Sequence, residues 1–197
     1  MRYTRRLLAS STLAALCALP ASSASAQAVH PFSVGISAGA AFLVGDDRDA
    51  WRDGFAAQGT LAVGFPILPV ELRADIGYQT FPGKFRTVQS GTGADVTVGT
   101  PDFTVWSGTL SLLARPGGDM GLGIVRPYLA AGGGVYRTDF GDAGGVSTVE
   151  TSGGLTAALG ASVPVAGLNA FFELRVHNIF REGDSMRTYP VVAGFLF

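Results

Sequence analysis

The residues able to do chemistry are few. His30 and His177 are the only imidazoles in the 197-residue chain, too few for a histidine-rich metal site, and no metal or other cofactor is expected. As a general base, His177 would need a serine nucleophile and an acid within hydrogen-bonding reach. It is followed by Asn178-Ile179-Phe180 with no serine nearby, so a buried, hydrogen-bonded histidine is the preferred reading. Gly35-Ile36-Ser37-Ala38-Gly39 matches the nucleophile-elbow pattern, but that motif needs a sharp strand-to-helix turn, and Ser37 sits in the middle of an alternating run. Asp139-Phe140-Gly141 copies a kinase triplet without its companions and is taken as chance. Asp46, Asp47, Asp49 and Asp53, beside Arg48 and Arg52, lack the calcium-loop spacing and its terminal Glu. They read as a solvated loop tip.

What remains is a set of charges at every second position: Glu71, Arg73 and Asp75 in one segment, Arg115 in another, Glu173, Arg175 and His177 in a third. Three acids face three permanent bases. A strand places alternate residues on one face, so each set lies on a single face. If that face is interior, the charges must pair with one another.

The elements that position these charges follow from composition and periodicity. Arg2, Arg5 and Arg6 precede an apolar stretch at 7–19 and then Ala24-Ser25-Ala26. This is the layout of a secretory signal, with cleavage expected after Ala26, and the apolar stretch is too short to span a bilayer as a helix. A lipoprotein reading would use Cys17, but Leu16 stands where a small residue is wanted. Removing the signal takes away three of the 14 Lys and Arg and none of the 15 Asp and Glu, leaving a net charge of −4. Nucleic-acid domains are markedly basic, so no nucleic-acid partner is expected. Cys17 is the only cysteine, which excludes disulfides from the segment 27–197, expected to be one domain. That segment holds all 28 glycines, and the whole chain is 47% hydrophobic with a mean hydropathy of +0.32. It has no apolar run long enough for a spanning helix. Lipid admits only helices and closed barrels, because backbone polar groups must be paired there.

Alternation of period two then marks strands. Phe32, Val34, Ile36, Ala38, Ala40 and Phe42 oppose Ser33, Gly35, Ser37 and Gly39. Phe55, Ala57, Leu61, Val63 and Phe65 oppose Gln58, Thr60 and Gly64. Val70, Leu72, Ala74, Ile76 and Tyr78 oppose Glu71, Arg73, Asp75 and Gln79. Further strands are read at 106–115, 126–137, 155–163, 172–177 and 189–197; the fifth has no clear polar face and its orientation stays open. The polar faces are mostly Gly, Ala, Ser and Thr, which suits a crowded lumen. Phe32/Phe42 and Phe55/Phe65 bracket two strands at ten-residue spacing, roughly 25 Å along a tilted strand and the height of a lipid-facing band between aromatic girdles. Segments 45–54, 82–102, 137–150 and 178–187 read as long polar loops, 66–69 and 164–169 as short turns, and 116–125 is long for a turn on the short-turn side. The expectation is a closed, antiparallel, up-and-down β-barrel of about eight strands, with both ends in the periplasm.

Arg126-Pro127-Tyr128-Leu129, Phe172-Glu173-Leu174-Arg175 and the ending Tyr189-Pro190-Val191-Val192-Ala193-Gly194-Phe195-Leu196-Phe197 carry a resemblance. Over 30–197 the chain resembles the OmpA-like and OmpX-like outer-membrane β-barrel family. The resemblance implies the outer membrane of a Gram-negative-type bacterium and contact with its lipid and lipopolysaccharide. It also implies a C-terminal signal, here Tyr189, Val191, Phe195 and Phe197, for the barrel-assembly machinery. No peptidoglycan-binding domain follows Phe197, so cell-wall tethering is not implied. The function expected is structural or surface interaction through the outer loops, without catalysis. The alternatives are a lipid A-modifying enzyme of this barrel class, for which His177 is the candidate base, and a small porin-like pore.

Overall fold

The structure is a computed structural model that describes residues 32–197 apart from 46, 66–69, 90–94, 116–123, 144–145 and 182. The expected signal at 1–26 and the turn at 66–69 lie outside the described residues. Eight strands form the barrel: β1 (Phe32–Val44), β2 (Gly54–Gly64), β3 (Val70–Phe81), β6 (Phe103–Ala114), β7 (Arg126–Ala143), β8 (Val146–Val165), β9 (Leu168–Arg181) and β10 (Asp184–Leu196). Each pairs antiparallel with the next in this order, and β10 pairs with β1, so the sheet closes. Phe197 extends the closing ladder, its N–H donating to Val34 O at 2.7 Å and its carbonyl accepting from Val34 N.

The alternation becomes an outside and an inside. Phe32, Ile36, Ile76, Trp106, Leu110, Leu112, Leu155, Leu159 and Phe172 point outward and are exposed. An apolar exterior on a closed barrel fits hydrocarbon and not water, and no helix among the described residues is long and apolar enough to cross a membrane. Inside lie small residues, hydroxyls and the charges. The fifth strand of the sequence reading, β7, gains its orientation here: Tyr128, Ala130, Tyr136 and Thr138 face inward and are buried, while Leu129, Val135 and Arg137 face outward. The deciding feature is on the neighbouring strand. A Cβ at Gly160 would overlap the Tyr128 ring, and one at Gly154 would meet Tyr136 Cε2 at 2.8 Å. Only glycines in β8 let these two rings lie across it inside the lumen. β8 passes to β9 through Ala166-Gly167, whose φ values of 50 and 86 suit a two-residue hairpin turn matched to strand twist.

Three of the segments expected as loops contain more ladder than their polarity suggests. The segment 82–102 carries a separate hairpin, β4 (Phe85–Gln89) with β5 (Asp95–Gly99), rich in the β-branched residues Thr87, Val88, Val96, Thr97 and Val98. The segment 137–150 is mostly strand, because β7 and β8 stay paired as far as Ala143↔Val146. The segment 178–187 is likewise mostly β9 and β10, paired to Asp184↔Arg181. The ladder is a backbone property and continues here whatever the side chains, with Thr138, Ile179 and Met186 still buried on the inward face.

A barrel without free edges opens slowly in detergent. Unboiled and boiled samples are therefore expected to run at different mobilities in SDS gels; identical mobility together with a helical circular-dichroism spectrum contradicts the closed barrel.

Candidate functional site

In the eight-membered ring β3 and β9 are four places apart, on opposite walls. Each brings a charge pair spaced by two residues, so both members face the lumen. Arg73 Nε donates to Asp75 Oδ1 on its own strand at 2.8 Å, and Arg73 Nη1 donates across the lumen to Glu173 Oε2 at 2.5 Å. Arg175 Nε donates to Glu173 Oε1 on its own strand at 2.9 Å, and Arg175 Nη1 donates across to Asp75 Oδ2 at 2.9 Å. The four form a closed square in which every charge touches both partners of opposite sign. Their side chains are at most 4% exposed.

Other walls complete the square. Thr60 Oγ1 and Gln58 Nε2 on β2 donate to Asp75 Oδ1 at 2.6 and 3.1 Å, and the Tyr128 hydroxyl on β7 donates to Glu173 Oε2 at 2.8 Å. The Arg73 guanidinium also lies 5.9 Å from the centre of the Phe171 ring. Thr60, Gln58 and Tyr128 were not among the site residues read from sequence. The signal for the first two was present, as polar members of an inward face; Tyr128 carried none, since its strand had no readable polar face.

Glu71 and Arg115 are not part of the square. They pair with each other nearer the chain termini, with side chains 24% and 34% exposed. A cavity of about 10 Å³, lined among others by Glu71, Arg73, Arg115 and Tyr128, lies beside them, room for about one water. His177 is buried, and its Nδ1 lies 2.8 Å from the Tyr136 hydroxyl, with the rings edge to face. Which group donates depends on the imidazole tautomer. Ser37 is buried on the lumen side of β1, and no helix follows it there. Tyr189, Val191, Phe195 and Phe197 lie on the outward face of the closing strand. Among the described residues no group of three or more His, Cys, Asp or Glu is placed to hold a metal ion.

The outer end of the lumen differs. The first loop is more than a solvated tip: α1 (Asp47–Ala50) leads into Trp51, which bridges to Gly83 and donates its indole N–H to Pro101 O at 2.9 Å. The Trp51 ring packs edge-on against Phe103 at 4.9 Å; Phe103 in turn stacks on Phe81 at 4.8 Å and on Phe140 at 5.6 Å. Main-chain bonds Arg52 N to Pro82 O and Lys84 N to Ala50 O tie the loop to the segment after β3, and Asp102 Oδ1 accepts from Gly83 N.

Losing one corner of the square leaves uncompensated buried charge, which costs on the order of 3–5 kcal/mol, whereas apolar replacement of a whole pair is often near neutral. Arg175→Met is therefore expected to lower unfolding stability in detergent micelles by about that amount. Arg175→Met combined with Asp75→Leu leaves Arg73 and Glu173 paired and is expected to be the milder change; equal losses in denaturant titrations contradict the coupling.

No protein-family model matches the chain, and no curated protein matches it. Solved structures do match. The crystal structure of neisserial surface protein A matches with a TM-score of 0.59 at 20% identity, covering 84% of this chain and 96% of that one. The outer membrane protein OprG from Pseudomonas aeruginosa matches with a TM-score of 0.50 at 15% identity, covering 84% of this chain and 95% of its own. The chain thus has the fold of the eight-stranded transmembrane β-barrels of outer-membrane proteins, the architecture that its resemblance to the OmpA-like and OmpX-like family implied.

Proposed function

We propose that this chain is an outer-membrane surface protein of a Gram-negative-type bacterium, in which the barrel is a sealed anchor and the loops at the outer end make the contacts. The observation that carries the reading is the buried charge square. An eight-stranded barrel is just wide enough for its side chains to fill, and here opposite walls are joined by short ion pairs through the middle of the lumen. Such a lumen suits an anchor better than a passage. His177 is enclosed with Tyr136, away from the lipid-facing wall where an acyl chain would lie, which favours the non-enzymatic reading over lipid A modification. The even strand count puts both chain ends on one side, the periplasm, and the first-loop platform and the β4–β5 hairpin on the other. Binding then belongs to these loops, where function on rigid scaffolds concentrates.

In planar bilayers the native protein is expected to give at most small, infrequent conductance steps; steady large channels overturn the sealed anchor in favour of the pore. The outward alternation ending on Phe197 supports a role for Tyr189, Val191, Phe195 and Phe197 in recognition by the barrel-assembly machinery. Deleting Phe197 is expected to cut the amount of protein inserted in the outer membrane while export and signal cleavage proceed. Normal insertion of the shortened chain excludes that role.

A further inference from the structure

The charges inside the barrel are matched by one another, whereas one cation on its outer wall is not. The outward positions of β7 run Leu129, Ala131, Gly133, Val135, Arg137 and Asp139, so Arg137 is the first charge met on leaving the apolar band toward the loops. Its side chain is exposed, and among the described residues it makes no side-chain hydrogen bond or ion pair, not even with Asp139. A guanidinium on the lipid face is costly unless it sits at headgroup level and meets an anion there. The row in which Arg137 stands fixes that level. Tyr78 on β3 pairs with Trp106 on β6, and Trp106 pairs with Arg137. The Tyr78 and Trp106 rings lie 4.8 Å apart and Trp106 is half exposed; such amphipathic rings settle at the boundary of membrane and water. The next row toward the loops is polar, with Thr80, Thr104 and Asp139 in register. The row on the other side is apolar and uneven: Gly108 stands between Ile76 and Val135, and a Cβ built on it meets nothing within 4 Å. With Trp106 above it and Leu110 below, Gly108 leaves a dent in the lipid-facing wall directly beneath the row of rings and cation.

We propose that this patch of the outer wall seats one lipid A molecule, with a phosphate on the Arg137 guanidinium and an acyl chain descending past Trp106 across Gly108. This rests on the outer-membrane reading and goes beyond it by naming a lipid and its seat.

The occupant follows from the level and the chemistry. The row lies on the loop side of the apolar band, hence in the outer leaflet, where the surface lipid carries its phosphates on a sugar. A guanidinium fork matches a phosphate with two parallel hydrogen bonds, and the hydroxyls of Thr80 and Thr104 in the row above suit the sugar. Asp139 lies two residues farther toward the loops, roughly 7 Å along the strand, one step removed from the phosphate. Among the described residues of the barrel strands only one other cation faces outward, Arg187 on β10. Its Nε is 3.4 Å from Asn178 Oδ1, and its row neighbours are Val44 and Asn178, with no ring beside it. Arg187 thus provides a control of equal charge without the ledge and the dent.

Native mass spectrometry of the purified barrel, incubated in detergent with bisphosphorylated lipid A, reads the seat directly. The native protein is expected to retain one lipid molecule. Arg137→Gln is expected to weaken retention by about tenfold or more, the loss of a charged hydrogen-bond pair, and Arg137→Lys, which keeps the charge without the fork, to fall between. Gly108→Leu fills the dent without touching the charge and is expected to weaken it severalfold. Arg187→Gln is expected to bind as the native protein does. Equal retention by Arg137→Gln and the native protein overturns the seat, and an equal loss in Arg187→Gln overturns it in favour of diffuse attraction. Three arms on the native protein need no substitution. Lipid A stripped of its phosphates is expected to bind as weakly as intact lipid A binds Arg137→Gln, and undiminished binding overturns the phosphate contact. Phosphatidylglycerol held as tightly as lipid A overturns the choice of lipid. Displacement of lipid A by inorganic phosphate overturns the lipid seat in favour of a site for the free anion. Fractionation that finds the native protein outside the outer membrane strikes the underlying reading instead, whatever the lipid retention.

Discussion

A strand in hydrocarbon must find a hydrogen-bonding neighbour on both sides, since each unpaired backbone group there costs several kcal/mol. The rest of this structure depends on that constraint. It forces β10 back onto β1, and closure gives every strand one face toward lipid and one toward a lumen that eight strands make narrow. The same constraint explains why a chain rich in glycine can be stable. The ladder supplies cohesion regardless of side chain, and small inward residues let walls that curve tightly approach one another. Where a large side chain must fit inside, as with Tyr128 and Tyr136, the positions their rings lie across are Gly160 and Gly154.

Charges inside such a barrel have a second consequence. Buried ion pairs are weak evidence for stability, because desolvation offsets much of their attraction. They are strong evidence about register. A slip of one residue between β2 and β3 would turn Arg73 and Asp75 outward into lipid, where no partner exists and a charge near the mid-plane costs a few kcal/mol. The same holds for Glu173 and Arg175 on β9. Glycine and alanine ladders specify register poorly by themselves, because one small residue replaces another at little cost. The square adds a penalty for slippage that such small residues cannot supply.

The limits of what the sequence revealed follow the same physics. Alternation is readable where a strand separates two different media, so β1, β2, β3 and β9 could be read residue by residue, and with them the faces carrying Arg73, Asp75, Glu173 and Arg175. In β7 the run Ala130-Ala131-Gly132-Gly133-Gly134 is small on both sides, and its two tyrosines, residues at home in an outer girdle, in fact point inward. Nothing local to that strand could have shown this; the cause sits on β8. The upper parts of β7 and β8 escaped detection because polar residues and glycines run through both faces there. The square itself was foreseeable as a set of charges that must pair, since opposite placement of the third and seventh strands follows from the count of eight. Its Tyr128 corner was not, because the contact depends on the bare backbone at Gly160.

The two filled levels of the lumen also divide its labour. Near the chain termini the filling is ionic and fixed to strands, with the partly exposed Glu71–Arg115 pair beyond it. Toward the outer mouth it is aromatic and completed by a residue from a loop. Ion pairs are directional and hold four side chains to one geometry, which suits a level that fixes strand register. Apolar burial is non-directional, which suits a level where a loop has to settle over a mouth built from six strands. Trp51 serves both requirements, its ring in the cluster and its indole N–H bonded to Pro101 O, a backbone atom of the neighbouring loop. The position of the first loop is therefore tied to that of the segment after β3, by this side chain together with the main-chain bonds of Arg52 and Lys84.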